Sequence, residues 1–289
     1  MEFPKTLIKR NGYIERIKPF MRKNIAKVLT GQRRVGKSFL LYQLMDQLLV
    51  EEPDANIIYI NFEDFAFSHI QTAEDMHAYI MSKFRKEKYN YIFVDEIQEI
   101  VNFERVIRSL LLNENNDIYI TGSNAKMLSG ELATYLSGRY IEFSVYSLSY
   151  LEFLAFHKLE NNNESLYLYS RYGGLPYLIN LPLKDETVNE YLKSVYSTIV
   201  FRDVVSRYNL RNSSFLEKLV QFLSENIGNL FSAKNISDYL KSQHSTISVN
   251  QIQNYTEYLN NAFLIHRVGR YDLIGKRLFE IGEKYYFEN

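Results

Sequence analysis

Eight residues, Gly31-Gln32-Arg33-Arg34-Val35-Gly36-Lys37-Ser38, limit what this chain can fold into more than any other stretch. They satisfy the spacing G-x-x-x-x-G-K-[ST], follow an apolar run (AKVLT, 26–30) and open a segment of helical spacing (SFLLYQL). The glycines let the backbone curl, so that successive N–H groups from Arg34 to Phe39 turn toward one point, where the positive end of the following helix adds its field. The result is a cradle for phosphate. Gly31, Arg34, Val35, Gly36, Lys37, Ser38 and Phe39 form the expected binding set, with Lys37 bridging β- and γ-phosphates and Ser38 ligating Mg²⁺ through its hydroxyl.

A loop of this kind needs a strand before it and a helix after it, and the rest of the first half repeats that alternation. Runs at 57–61 (IIYIN), 91–95 (YIFVD), 118–121 (IYIT) and 140–146 (YIEFSVY) are short, rich in Ile, Val and Tyr, and read as buried strands. Between them, 37–50 and 72–86 have helical spacing, the second opening on a Thr72 cap with Asp75 three residues on. Parallel neighbours need crossover helices. The expected class is therefore α/β, a P-loop NTPase parallel sheet with flanking helices and its ligand at the carboxyl ends of the strands.

Beyond 146 the pattern turns helical, with 149–157, a Gly173-Gly174-Leu175-Pro176 turn and a long segment at 186–209, together forming a helical lid. From 213 the chain reads as a C-terminal winged-helix domain. Ser214 with Glu217 signals one capped helix, 232–241 gives a second, Ser248 with Gln251 starts a third, and two strands follow around Gly269 and Gly275. The expected organisation is a P-loop ATPase core at 1–147, the lid at 148–212 and the winged-helix-like domain at 213–289.

The strand at 91–95 delivers Asp95 and then Glu96 to the carboxyl edge of the sheet. Asp95 suits Mg²⁺, and Glu96 can polarise an attacking water. At the end of the next strand Ser123 and Asn124 stand where a polar side chain senses the γ-phosphate, while the same Gly-Ser-Asn is also an ordinary turn. Arg139 is a candidate for stabilising transferred charge, in cis or across an interface between copies, with a solvated arginine as the bland alternative. These residues make Lys37, Glu96, Asn124 and Arg139 the catalytic candidates. No N-K-x-D segment supports guanine, so ATP is the expected nucleotide. A nucleotide kinase would want an acceptor site and an arginine-rich lid, neither of which is visible.

The chain has no cysteine, which removes disulfides, thiolate metal sites and cysteine nucleophiles. Its five histidines, at 69, 77, 157, 244 and 266, lack ligand spacing. There is no run of about 18 apolar residues, and the opening MEFPKTLIKR has no apolar stretch behind its charges, so no membrane role and a cytoplasmic location are expected. Net charge is zero, yet residues 1–40 hold 11 Lys or Arg against 2 acids. Three of those cations, Arg33, Arg34 and Lys37, lie in the phosphate loop.

Taken in order, TGQRRVGKS, FVDEIQ, ITGSNAKMLSGELATYLSGRY, YGGLP and VFRDVVSRYNLRN resemble the bacterial and archaeal AAA-like ATPases, across nearly the whole chain. The resemblance implies an ATPase core of the branch whose catalytic glutamate follows the Mg²⁺ aspartate, a lid and a winged helix. In that family a nuclease-like C-terminal domain usually follows, and KYYFEN lies near where it would begin, so that domain is expected to be absent here. Gly-Gly-Leu-Pro is similar to the turn that related signal-transducing ATPases place against adenine, which would give Pro176 a nucleotide contact; read alone, it is a helix-breaking turn. Two partner readings follow. Arg267, Arg270, Lys276 and Arg277 on the wing suit the phosphates of duplex DNA, whereas the third helix, 248–260, has no Lys or Arg and fits a module that binds protein or a second copy.

Overall fold

The apolar runs of the first half pair edge to edge as a parallel sheet. A computed structural model describes residues 4, 7–125, 135–136, 138–242, 247–269 and 282–288. Among these, the strands are β1 (Ala26–Thr30), β2 (Asn56–Asn61), β3 (Asn90–Asp95), β4 (Asn116–Gly122) and β5 (Tyr140–Ser144), in the order β2-β3-β4-β1-β5. Every pairing is parallel. Because alternate side chains of a strand point to opposite faces, Ile58, Ile60, Ile92, Val94, Ile118 and Ile120 build one buried face. Onto it pack Met76 and Ile80 of a helix at Ala73–Ser82, with Phe103 and Ile107 of another at Phe103–Leu110. The intervening Tyr91, Phe93 and Tyr119 are equally buried, and the Phe93 and Tyr119 rings stack at 4.5 Å. Thr72 and Asp75 form the expected capping box, each side chain taking the other's backbone N–H.

Two compact units divide at 184/185, as Met1–Lys184 and Asp185–Asn289, inside the stretch 148–212 that sequence pattern groups as one helical segment. The first unit also holds α1 (Asn11–Ile17), α2 (Lys37–Glu51), and helices at Tyr150–His157 and Asn163–Tyr172, the latter pair sharing a small core of Leu148, Phe153 and Phe156 with Ile8, Leu168 and Ile179.

The second unit begins with a helix at Asp185–Thr198 that widens into a π-helical stretch, Ile199–Ser206. Helices at Ser213–Glu225, Ala233–Ser242 and Val249–Asn261 follow. A short strand, β6 (Leu230–Phe231), joins β7 (Ile265–Val268) and β8 (Glu283–Phe287) in an antiparallel sheet ordered β6-β8-β7. The first of these three helices departs from the sequence reading. Its cap is Asn212, whose side-chain oxygen accepts the Phe215 N–H at 3.0 Å, not Ser214 with Glu217. Ser214 already lies inside the helix, and Asn is among the strongest N-caps. Ser248 caps the third helix as expected, accepting from Gln251 N–H. Gly275, Arg270, Lys276 and Arg277 lie outside the described residues.

Candidate functional site

The phosphate loop joins β1 to α2. Gly31 has φ +147°, and a Cβ there would come within 2.1 Å of the Val145 carbonyl oxygen, so the close pass of loop and β5 exit requires glycine. Gly36 turns at φ +97° directly before the helix, and Arg34 is left-handed at φ +69°. Val35 is buried and anchors the loop, while Arg34 is exposed. At the first helical position Lys37 is 4% exposed, its Nζ donating to the Gly31 and Gln32 carbonyls at 3.0 and 2.9 Å. The ammonium is thus folded back on its own loop, 3.8 Å from Glu96 Oε1.

β3 and β4 bring the acids to the same edge. Asp95 ends β3, is buried, and receives hydrogen bonds from the Ser38 and Thr121 hydroxyls. Burial pushes its carboxyl up, against the pull of those bonds and of Lys37. Glu96 follows in a left-handed conformation, φ +54° and ψ +47°, its N–H donating to Thr121 Oγ1 at 3.0 Å. Burial alone would raise Glu96 as well. Lys37, the Gln98 amide, Arg33 and Ser123 outweigh it and hold Glu96 below the usual carboxylate range, so it stands ionised. Ser123 Oγ lies 3.2 Å from Glu96 Oε2, and Asn124 is buried immediately after it.

A cavity of about 330 Å³ opens beside this edge. Polar or loop residues Arg33, Arg34, Gly36, Lys37, Ser38 and Glu96 line it together with apolar Phe39, Ile8, Phe156, Pro176 and Ile179. Pro176 begins a short helical turn (Pro176–Asn180), and its Cγ would be 3.7 Å from a Cβ placed on Gly36. Ahead of it, Gly174 passes so close to Leu148 that a Cβ would be 2.3 Å from that carbonyl, which accounts for the small residue of the Gly-Gly-Leu-Pro turn.

The fold therefore brings together the whole loop set, Asp95, Glu96, Ser123, Asn124 and Pro176. Arg139 is not with them in this chain. It is exposed and precedes β5, where its carbonyl accepts from Ala26 N–H at the start of β1. The register pairing Ala26 with Tyr140 and Thr30 with Ser144 leaves Arg139 at the opposite edge from the loop, a strand length of roughly 16 Å away.

Other residues enter the site without a local sequence signal. Arg10 is 3% exposed; its guanidinium donates to the carbonyls of Val35, Tyr146 and Ser147 and, through Nε and Nη2, to both carboxylate oxygens of Glu152. Gln43 of α2 pins the entering chain, accepting from Arg10 N–H and donating to the Ile8 carbonyl. Glu63 pairs with Arg33 at 2.9 Å. Among the described residues no group of three or more His, Cys, Asp or Glu side chains could hold a metal by itself.

Residues 23–154 match the family model described as an AAA domain, and residues 163–288 match a domain of unknown function, DUF8612. An uncharacterized protein of Haemophilus influenzae is 35% identical over 98% of this chain and 72% of its own length. The chain belongs to the AAA-domain family. A second relative, Uncharacterized protein MJ1544 of Methanocaldococcus jannaschii, is 32% identical over 84% of this chain, which spans only 56% of that protein. Among solved structures, Cdc6p from Pyrobaculum aerophilum aligns with 100% of this AAA-domain chain and 92% of its own at 12% identity and a TM-score of 0.43, too remote to speak to function. No described helix is long and apolar enough to cross a membrane.

Proposed function

We propose that this AAA-domain protein binds ATP with Mg²⁺ at the cavity beside the phosphate loop and hydrolyses the β–γ phosphoanhydride, using the change of state to act on a partner. The observation that carries the reading is the meeting of the Lys37 ammonium with an ionised Glu96, one residue past the buried Asp95. Loop N–H groups from Arg34 to Phe39 would hold the phosphates, and Lys37 would leave the Gly31 and Gln32 carbonyls for the β- and γ-oxygens. The apolar walls at Ile8, Phe156, Pro176 and Ile179 suit a purine base, and nothing in the chain supports guanine.

Ser38 and Asp95 fit Mg²⁺. They are hard oxygen donors already hydrogen-bonded to each other, and a divalent cation usually takes only one or two protein oxygens when phosphates supply the rest. Bound there, it would neutralise charge growing on the β- and γ-oxygens. Glu96 would take a proton from a water aligned with the γ-phosphorus, as the bond to the bridging oxygen breaks and ADP and inorganic phosphate leave. Ser123 orients Glu96, and Asn124 would hold the water. Arg139, on the far edge in its own chain and exposed, fits either a role across an interface between copies or a solvated arginine.

Lys37→Ala is expected to abolish MgATP binding by calorimetry. Glu96→Gln should bind normally and lose phosphate release by about 10²–10⁴-fold; equal release by variant and wild type removes Glu96 from the mechanism.

The helix, strand, helix, helix and hairpin of the second unit form, in this reading, a winged helix at 213–289, with 1–147 as ATPase core and 148–212 as lid. Wing cations such as Arg267 support contact with duplex DNA. A second reading, a regulatory switch whose winged helix binds protein, is favoured by the helix at Val249–Asn261, which carries no Lys or Arg. Phosphate release with and without duplex DNA separates the two, since only the first expects stimulation.

A further inference from the structure

The third residue of the phosphate loop brings a second cation to the site. Arg33 has a side chain 9% exposed, and its Nη1 donates to Glu63 Oε1 at 2.9 Å. Glu63 follows β2, its N–H held by Asn61 Oδ1, and its side chain is 47% exposed. Arg33 also stands close enough to Glu96 to help hold that carboxylate ionised. All three residues line the cavity with Lys37 and Ser38.

Three physical points narrow what this arrangement is for. A guanidinium keeps its proton in any protein environment, so it cannot escape burial by neutralising itself. Burying an ion pair gives little net stability, because desolvation consumes most of the Coulomb gain, so folding alone is a weak reason for Arg33. Its fork geometry matches a phosphoryl group, and the half-exposed Glu63 is a partner that solvent can take over.

On the reading of the site as an ATPase, we propose that Arg33 is a catalytic residue contacting the terminal phosphoryl group in cis, with Glu63 as its counter-ion while that group is absent. Arrival of a triphosphate exchanges one anionic partner for another. Arg33 moves from Glu63 to the γ-oxygens, and Glu63 turns to water. A diphosphate offers no γ-oxygens, so Arg33 stays on Glu63. The pair thereby gives the loop a means of telling ATP from ADP that is separate from Lys37, which also reaches the β-phosphate. During hydrolysis the same guanidinium opposes the charge that accumulates on the departing phosphoryl oxygens.

The test compares MgATP and MgADP affinities by calorimetry, and phosphate release, for wild type, Arg33→Ala, Arg33→Lys and Glu63→Gln. Arg33→Ala is expected to bind MgADP as wild type does, to lose about tenfold or more in MgATP affinity and to lower turnover by about 10³-fold. Arg33→Lys should fall between, since it keeps charge without the fork. Glu63→Gln should raise the preference for ATP several-fold, because the competing carboxylate is gone. An unchanged ATP-to-ADP ratio and unchanged turnover in Arg33→Ala overturn the assignment. Should that variant fail to fold, an unchanged ratio in both Arg33→Lys and Glu63→Gln overturns it equally. Wild-type protein that binds no MgATP sinks the ATPase reading and this assignment together, whereas wild-type binding with an unaltered ratio in the variants sinks the assignment alone.

Discussion

Tyr91 shows how a single side chain away from the cavity shapes stability. Its hydroxyl accepts from Arg22 Nε at 2.8 Å and donates to Glu52 Oε2 at 2.9 Å, and the residue is fully buried. Burial pushes the phenol up to about 12, the Arg22 bond pulling it down and Glu52 pushing it further up. A folded-state value above the unfolded value of about 10 means stability fully present below pH 10 and lost as pH rises through about 12. Tyr91→Phe, which loses both bonds, should be less stable than wild type at neutral pH, and the melting-temperature gap should narrow across that alkaline window; a constant gap would contradict the assignment. Glu96 is the opposite case, a functional position. Its left-handed backbone costs a non-glycine residue on the order of 1–3 kcal/mol, which Thr121 offsets in part by binding its N–H. Asp95 and Glu96 are legible as a pair from YIFVDE. The strain that aims Glu96 at Lys37 is not, because φ at one residue depends on what receives its amide.

At the level of elements, the helix at Tyr150–His157 and the phosphate loop share one carboxylate. Ser149 and Glu152 cap the helix reciprocally, and the same Glu152 takes two bonds from the buried Arg10, whose remaining donors hold the Val35, Tyr146 and Ser147 carbonyls. Burial would raise Glu152, but Arg10 and the Ser149 bonds hold it below the usual range. A depressed folded-state value gives stability present above the ordinary carboxylate range and lost as pH falls through the folded one. Glu152→Gln should flatten the acid limb of a melting-temperature profile. Glu152→Ala should cost about 3 kcal/mol, since it strands a buried guanidinium and removes a cap, as read from denaturant midpoints. Adding Arg10→Met should recover part of that loss. The cap is a local spacing. The Arg10 contact joins residues 142 apart in sequence and has no local signature.

For the molecule as a whole, the charge asymmetry has a partly internal explanation. Among the cations of residues 1–40, Arg10, Lys27, Arg33 and Lys37 are buried. Lys27 is completely enclosed with Asp117, which also accepts from Tyr119 and from Arg22 N–H. Burial lowers Lys27, while Asp117 opposes that shift. The first forty residues therefore present a weaker basic face than composition suggests, and the DNA reading is tested on the wing. Arg267 lies 3.5 Å from Glu283 across the hairpin. The expectation is salt-dependent retention on duplex DNA that is abolished by Arg267→Glu with Arg270→Glu; retention that is indifferent to both changes, or absent in the wild type, favours the protein-binding switch.

Short-range spacing alone was enough to specify the phosphate loop, the strands around it, the paired acids at a strand end and most helix starts, because glycine turns, two-residue alternation and caps act within a few residues. It was not enough for the strand order β2-β3-β4-β1-β5, for Thr121 meeting Asp95, for Glu63 meeting Arg33, or for Arg139 lying at the far edge from Lys37. Those depend on crossovers and register between strands distant in the chain, and a side chain's partner across a sheet is set only when the strands have paired.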